Sequence, residues 1–131
     1  MIVVAIIGIL AAVAIPRFAN LVEKSKEARI KGGLGALRSA ISIYYSDTEK
    51  YPQDLDVALT TSFKYLKEIP PVEIPSIDSA GNPGHPNSSV VTTGIDDFAT
   101  GAWLYDPTLA NGEIHVNCTH FDSKGTVWSS Y

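Results

Sequence analysis

A charge-free apolar segment at the N-terminus constrains this chain more than any other feature. Residues 1–15, MIVVAIIGILAAVAI, contain no charged side chain, and Pro16 closes the run. A helix that is apolar on every side has to be surrounded by lipid, by other helices or by a large core. A chain of 131 residues rarely builds such a core. The larger apolar side chains of the run are Met1, Ile2, Val3, Val4, Ile6, Ile7, Ile9, Leu10, Val13 and Ile15.

The length of this segment leaves three interpretations. Fifteen helical residues extend about 22 Å, which is short of the roughly 30 Å hydrocarbon core of a bilayer. The triplet Ala12-Val13-Ala14 matches the small-residue pattern of a signal-peptide cleavage site. However, no basic residue precedes the run, and helical patterning continues beyond Pro16. We therefore favour a helix that lies in a membrane or in the core of a polymer over a signal peptide or a buried core helix.

The next segment, residues 17–46, reads as an amphipathic stalk that continues the helix. One face carries apolar side chains at steps of four, three, four and three residues, which is the helical period. We expect this stripe to pack against a sheet; its members are Ile30, Leu34, Leu37, Ile41 and Tyr44. Proline inside a helix removes one internal hydrogen bond, so Pro16 is predicted to kink or locally open the helix.

Three glycines interrupt the stalk. Gly32, Gly33 and Gly35 each cost about 1 kcal/mol relative to alanine inside a helix. They mark either a close approach of a neighbouring element or a flexible segment, and the sequence does not choose between the two.

Residues 47–131 are predicted to form a globular head. The segment 69–86 contains five prolines and is interpreted as a surface loop. The segment 101–128 alternates apolar and polar residues between turn signals at Asn111-Gly112 and at residues 122–125, which indicates a small antiparallel meander. The last strand is expected at residues 126–128. The chain is therefore predicted to be α+β, with this sheet packed on one long helix.

Charge is distributed unevenly along the chain. The net charge is −4, but residues 1–45 carry +4 and residues 46–131 carry −8. Attraction between a basic stalk and an acidic head of a neighbouring copy is one reading, and two independently solvated surfaces is the other. Within the stalk, Glu27 and Lys31 stand four residues apart and predict a helix-stabilising ion pair.

Signals for catalysis, cofactors and metals are weak. His115, Cys118 and His120, with Glu113 nearby, are residue types that bind metals. Strand alternation puts His115 and Cys118 on opposite faces, so no metal site is predicted there. The pair Asp96-Asp97 offers oxygen ligands for calcium, although a turn or helix cap is the favoured reading. We predict no catalytic residues, no cofactor, no bound metal and no nucleic-acid partner.

Two segments resemble a known family. The run MIVVAIIGILAAVAIPRF resembles, nearly residue for residue, the N-terminal helix of bacterial type IV pilins and of type II secretion pseudopilins. The pattern W-x-Y-D-P…NG-x-I-x-V-N is similar to the last strands of their heads. The resemblance implies the pilin fold. It also implies that the helix opens near the proline in the assembled polymer, which is expected here from Gly8 to Pro16. A leader and about six mature residues are implied to be missing here, among them the family's glutamate. Six more residues would bring the run to about 21, enough to span a membrane.

The resemblance also implies a function. A pilin is a structural subunit of an extracellular type IV pilus and polymerises through its apolar helix; the alternative is a major pseudopilin in a periplasmic pseudopilus. Implied partners are identical subunits in a helical homopolymer, the inner membrane before assembly, an assembly ATPase, a membrane platform and a prepilin peptidase. The absence of a recognisable calcium loop and the long proline-rich segment favour the pilus. Many type IV pilins also close a C-terminal loop with a disulfide, whereas Cys118 is the single cysteine here.

Overall fold

One helix, α1, runs from Ile2 to Thr48 and organises the structure, a computed structural model that describes residues 1–77, 83–94 and 102–131. The helix continues through Pro16 without interruption. It ends where Glu49 adopts the left-handed conformation, with φ of 56°, and donates its backbone N–H to the carbonyl oxygen of Tyr45. Opening of the segment Gly8 to Pro16 inside a polymer stays a prediction, because the structure contains a single chain.

The second half of α1 supplies one wall of the hydrophobic core. Ile30, Leu34, Leu37 and Ile41 are buried, and Tyr44 is partly buried against the same cluster. The opposite wall comes from the head, with Trp103, Ile114, Val116, Cys118 and Trp128 among its buried members.

The three stalk glycines are not equivalent. A Cβ atom on Gly33 would lie 3.3 Å from both Pro70 Cβ and Trp103 Cζ2, whereas Gly32 and Gly35 face open space. The indole Nε1 of Trp103 donates to the Pro70 carbonyl oxygen at 2.7 Å, which fixes the ring against the helix at this point. For Gly33 the reading as a site of close approach is therefore confirmed.

The head contains a short helix and a three-stranded sheet. Helix α2 spans Leu55–Thr60, and its N-terminus is capped by the Asp54 side chain, which accepts a hydrogen bond from Val57 N at 3.1 Å. The strands are β1, Val91–Thr92; β2, Ala102–Tyr105; and β3, Ile114–Asn117. Short 3-10 helices occupy Thr61–Phe63, Pro107–Leu109 and Trp128–Ser130.

The α+β pilin-like arrangement is confirmed, but the sheet is mixed, so the expectation of a purely antiparallel sheet is wrong. Strand β2 pairs antiparallel with β3, with Trp103 opposite Val116. On its other edge β2 pairs parallel with β1, with Val91 opposite Trp103. Strand β1 could not be predicted from the sequence, because two residues are too few to show alternation.

The predicted last strand at 126–128 is also wrong. Only one isolated bridge forms there, between Phe121 and Val127, and the chain then turns into a 3-10 helix. The cause is local: the Asp122 side chain accepts hydrogen bonds from the backbone N–H groups of Lys124 and Thr126, at 2.8 and 2.9 Å. These bonds hold a tight turn that leads Trp128 into the core instead of along a strand edge.

The proline-rich segment 69–86 is not a surface loop throughout. Its described apolar residues Ile69, Val72, Ile74 and Ile77 are buried. A two-bond antiparallel bridge joins Val72 to Ser88, with N···O distances of 2.7 and 2.9 Å. Prolines prevent a regular strand here, but they do not prevent the apolar side chains between them from joining the core.

Two glycines with positive φ give a matched test of the turn geometry. Gly112 has φ of +69°, and a Cβ atom there would lie 2.3 Å from Tyr51 Cε1; Gly125 has φ of +80° and open space. Tyr51 cannot move aside without losing its stack on Tyr45, whose ring centroid lies 4.5 Å away. Gly125→Ala should lower the free energy of unfolding by about 1 kcal/mol for the left-handed backbone alone.

Gly112→Ala should lower the free energy of unfolding by roughly 1–3 kcal/mol more than Gly125→Ala does, because overpacking against Tyr51 adds to the same backbone cost. Urea unfolding of the full chain in detergent, followed by tryptophan fluorescence, measures both values. Equal losses in the two variants would contradict the packing of Tyr51 described above.

Candidate assembly surface and the stalk–head junction

The N-terminal half of α1 is an uncovered apolar surface. The ten large side chains predicted for the membrane or filament core, Met1 through Ile15, are between 52% and 108% exposed. Phe18, Leu21 and Val22 extend the surface along the helix and are also exposed. We call this surface, residues 1–22, the assembly surface.

The apolar half of α1 is a candidate membrane span. Helix α1 contains an 18-residue window of mean hydropathy 2.5, none of which is buried inside the structure. By length and composition it is the single candidate span among the described residues. Each exposed large aliphatic side chain gains about 1.5–3 kcal/mol on leaving water, so lipid or protein has to cover this surface.

A second group of residues joins the stalk to the C-terminal segment. Lys31 Nζ donates to Asp122 Oδ2 at 3.0 Å and to the Tyr131 hydroxyl at 2.8 Å. That hydroxyl in turn donates to Asp122 Oδ2 at 2.6 Å. The ammonium group also lies 4.1 Å from the centroid of the Tyr131 ring, within cation–π distance.

The electrostatics of this network favour its charged form. Burial alone would raise the pKa of Asp122, but hydrogen bonds from Tyr131, Thr126, Lys31 and Lys124 hold it well below the usual value. Burial opposes the charge on Lys31, yet its bonds to Tyr131 and Asp122 raise the pKa of the ammonium group overall. Both groups are therefore ionised at neutral pH.

Glu27 forms a separate buried contact with the same turn. Its carboxylate is 5% exposed and accepts hydrogen bonds from Ser123 N at 2.6 Å and Ser123 Oγ at 2.7 Å. The helix ion pair predicted between Glu27 and Lys31 is therefore wrong, because each side chain reaches across to the C-terminal segment instead.

Part of the charge asymmetry is neutralised within the chain. Lys26 Nζ pairs with Glu73 Oε1 at 2.7 Å, and Arg38 Nη2 donates to the Ile114 carbonyl oxygen at 3.0 Å. Among the basic residues of the stalk, Arg17, Lys24, Arg29 and Arg38 are exposed and form no ion pair with the described residues. In the stalk, these four side chains are available to an acidic neighbour.

The histidines and the cysteine fall into two places. His115 lies on β3 with Nδ1 2.7 Å from the Tyr131 carbonyl oxygen. Cys118 and His120 instead lie beside His85, which the sequence analysis did not single out. Glu113 is exposed and accepts a hydrogen bond from Asn111 Nδ2 at 2.8 Å. Asp96 and Asp97, the calcium candidates, lie outside the described residues.

Comparison with known proteins identifies curated relatives, each of which this chain covers only in part. Fimbrial protein EcpC of Eikenella corrodens is 34% identical over 123 residues, which cover 91% of this chain and 76% of that protein. The chain belongs to the type IV pilin family. Fimbrial protein Q of Moraxella bovis is 33% identical over 119 residues, covering 85% of this chain and 64% of that protein. The type IV major pilin protein PilA of Myxococcus xanthus is 49% identical over 51 residues, covering 39% of this chain and 23% of that protein.

Two further comparisons find no match. No family model matches the sequence, and no solved structure matches it. Membership of the family therefore rests on the curated relatives, and it agrees with the geometry of a pilin whose long helix is covered by the head over its second half only.

The stalk–head junction of this pilin is expected to respond to acid. The pKa of Asp122 is lower in the folded chain than the value of about 3.9 in an unfolded one. Its contribution to stability is therefore complete above that value and is lost as the pH falls through it toward the folded pKa. Asp122→Asn should lower the free energy of unfolding at pH 7 by about 2–3 kcal/mol. This is less than the roughly 3–5 kcal/mol that is lost when one partner of a fully buried ion pair is removed, because Lys31 is partly exposed.

The difference between wild type and Asp122→Asn should stay constant from about pH 7 to 5 and shrink below about pH 4. Urea unfolding at several pH values measures it. The control is Asp47→Asn, the same change in the exposed Asp47–Lys64 pair, where the effect should be smaller because solvent screens the pair. A difference for Asp122→Asn that does not change with pH would contradict the network.

Proposed function

We propose that this pilin is a structural subunit that polymerises through its assembly surface into a type IV pilus on the cell surface. The observation that carries the proposal is the continuity of an exposed apolar half-helix with a folded head along one 47-residue helix. A structural role, rather than a catalytic one, accounts for an apolar surface of this extent.

Two environments satisfy the assembly surface equally. Ten large apolar side chains at about 1.5–3 kcal/mol each are worth on the order of 15–30 kcal/mol when removed from water. A bilayer provides this burial for a stored subunit, and a bundle of identical helices provides it for an assembled one. Transfer between the two therefore exchanges one apolar environment for another, with little net hydrophobic cost.

The position of the head supports a helical homopolymer. Because the buried side chains described on α1 begin at Glu27, copies can bring their first halves together while their heads remain outside. The exposed cation Lys24 lies between these two regions, where acidic head residues of a neighbour can reach it. Such contacts would fix the offset between successive subunits.

The proposed life cycle has two stages. The subunit is held in the inner membrane as a precursor pool and is then extracted into the extracellular fibre. A prepilin peptidase, an assembly ATPase and a membrane platform are the machinery that the resemblance to pilins suggests. The competing assignment, a short periplasmic pseudopilus, is less well supported, since the similar proteins named above are called fimbrial proteins and a major pilin.

A matched pair of valines tests the assembly surface. Val13 and Val57 are both exposed, but Val13 lies on the N-terminal half of α1 and Val57 on α2 of the head. Val13→Asp should abolish filaments, since an aspartate at the centre of an apolar helix costs about 2.5–3.5 kcal/mol on insertion. Val57→Asp should leave filaments intact.

The measurement is electron microscopy of filaments sheared from cells that express each chain at native level, with the subunit identified by mass spectrometry. Long fibres from wild type and none from Val13→Asp are expected. Wild-type filament yield from Val13→Asp would overturn the proposal, and wild-type protein retained in the envelope without surface fibres would move the assignment to a pseudopilus.

Pro16 gives a second, structural prediction for the filament. Pro16→Ala restores a helix N–H and should keep the segment Gly8 to Pro16 helical in the polymer, which would change the packing of the core helices. Helical reconstruction should then show a changed rise or twist per subunit, or loss of assembly. Fibres of unchanged symmetry would contradict a role for Pro16 in opening the helix.

A further inference from the structure

Three metal-binding side chains converge in the head, away from the assembly surface. One potential ligand atom from each of His85, Cys118 and His120 lies within 4.8 Å of the other two. His85 Nε2 is 3.1 Å from His120 Nδ1, and the rings stack with centroids 4.9 Å apart. His85 and Cys118 are buried and His120 is half-buried, so the cluster opens toward solvent on one side.

From this geometry we infer that His85, Cys118 and His120 form a zinc site in the pilin head. Two imidazole nitrogens and a thiolate are ligands that suit zinc, which prefers a tetrahedral arrangement. Three protein ligands leave a fourth position for water, which can enter beside the half-buried His120. This inference does not depend on whether the subunit assembles into a pilus.

Metal binding requires shifts of the ligand atoms and rotation of both imidazole rings. In a tetrahedral zinc site with bonds of about 2.0–2.3 Å, ligand atoms lie roughly 3.3–3.6 Å apart. The two nitrogens are already at 3.1 Å, and Cys118 Sγ has to approach by at most about 1.5 Å. Each imidazole also has to rotate so that its lone pair points at a common centre rather than at the other ring.

The fold holds the three residues in place from both sides. Next to His85, a Cβ atom on Gly84 would lie 2.7 Å from Ser76 N and 2.9 Å from the Ile74 carbonyl oxygen, so only glycine allows this close approach. His85 N donates to that same carbonyl at 3.0 Å. The backbone beside His85 is therefore fixed before any metal binds.

The other two ligands lie on the segment that follows β3. Ser129 N donates to the Cys118 carbonyl oxygen at 2.9 Å, and Trp128 N donates to the His120 carbonyl oxygen at 3.0 Å. These bonds fasten the segment to the C-terminal 3-10 helix. Zinc would thus link two parts of the head that are each ordered already but distant in sequence.

The proton balance of binding is simple. The 3.1 Å contact between the two imidazoles requires one nitrogen to carry a proton and the other to accept it. On binding, that proton moves to the other nitrogen of its ring, both rings remain neutral, and the Cys118 thiol releases one proton to solvent. No oxidant or reductant takes part.

A zinc ion bound by these three residues would have a clear physical use in this head. Small domains with limited cores are commonly stabilised by disulfides or by a structural metal. A single cysteine cannot form a disulfide within the chain. A site built from Cys118 and two histidines offers an equivalent cross-link between the proline-rich segment and the C-terminal segment.

Cobalt gives a direct test, because a cobalt–thiolate bond produces a near-ultraviolet charge-transfer band and a tetrahedral site produces visible d–d bands. The full chain, purified in detergent with a phosphine reductant and without a histidine tag, is titrated with Co²⁺. One equivalent should generate both signals, and Zn²⁺ should displace them.

Single substitutions then assign the ligands. Cys118→Ser should remove the charge-transfer band, and His85→Ala and His120→Ala should each weaken binding by at least about 100-fold, since loss of an outer-shell partner alone costs 10–100-fold. His115→Ala is the control: His115 contacts Tyr131 instead of the cluster and should leave the affinity unchanged.

Near-ultraviolet circular dichroism of Trp103 and Trp128 checks that each variant is folded. Absence of the charge-transfer band in the wild-type chain would overturn the site whatever the variants do. A band that persists in Cys118→Ser, or a loss of affinity in His115→Ala equal to that in His120→Ala, would also overturn it.

Discussion

The burial requirement of a single helix governs this structure. Helix α1 is apolar along its first half and amphipathic along its second, yet one continuous backbone joins the two. The head covers the stripe from Ile30 to Ile41 and leaves the N-terminal half of the helix uncovered. The isolated chain is therefore a folded domain attached to an apolar surface that water solvates poorly. Its complete fold therefore includes whatever surrounds residues 1–22, whether lipid tails or other copies of the helix.

The stalk–head junction determines how rigidly those two parts are connected. Charge-assisted contacts join the helix to the C-terminal segment near the end of the covered half of the helix. They involve Glu27 and Lys31 on the helix and Asp122 and Tyr131 on the C-terminal segment. Buried pairs of this kind contribute little net stability compared with apolar side chains, but removing one partner is costly. They fix one orientation of the head on the helix, and a repeating filament needs such uniformity because every subunit must present the same surface to its neighbour.

The parts of the fold that sequence could predict are those encoded locally. The 4-3-4-3 spacing from Ile30 to Tyr44 predicted a helix, and Asn111-Gly112 predicted a turn in which Gly112 does adopt positive φ. The parts that were missed depend on residues far apart in the chain. The parallel pairing of β1 with β2 leaves no periodic signal in two residues, and His85 joins Cys118 and His120 only because the bridge from Val72 to Ser88 folds its segment back. The predicted final strand does not form for another reason: the Asp122 side chain competes with the sheet for backbone N–H groups.

Pro16 shows how the same residue has different consequences in different surroundings. A proline at this position leaves the carbonyl oxygen of Ala12 without its helical N–H partner. In the isolated chain Ala12 and its neighbours are exposed, so water can satisfy that oxygen and the helix continues unbroken. Among lipid tails or packed helices no water is available, and an unsatisfied carbonyl costs several kcal/mol. We therefore expect the proline to be tolerated in solvent and to destabilise the regular helix where the assembly surface is covered.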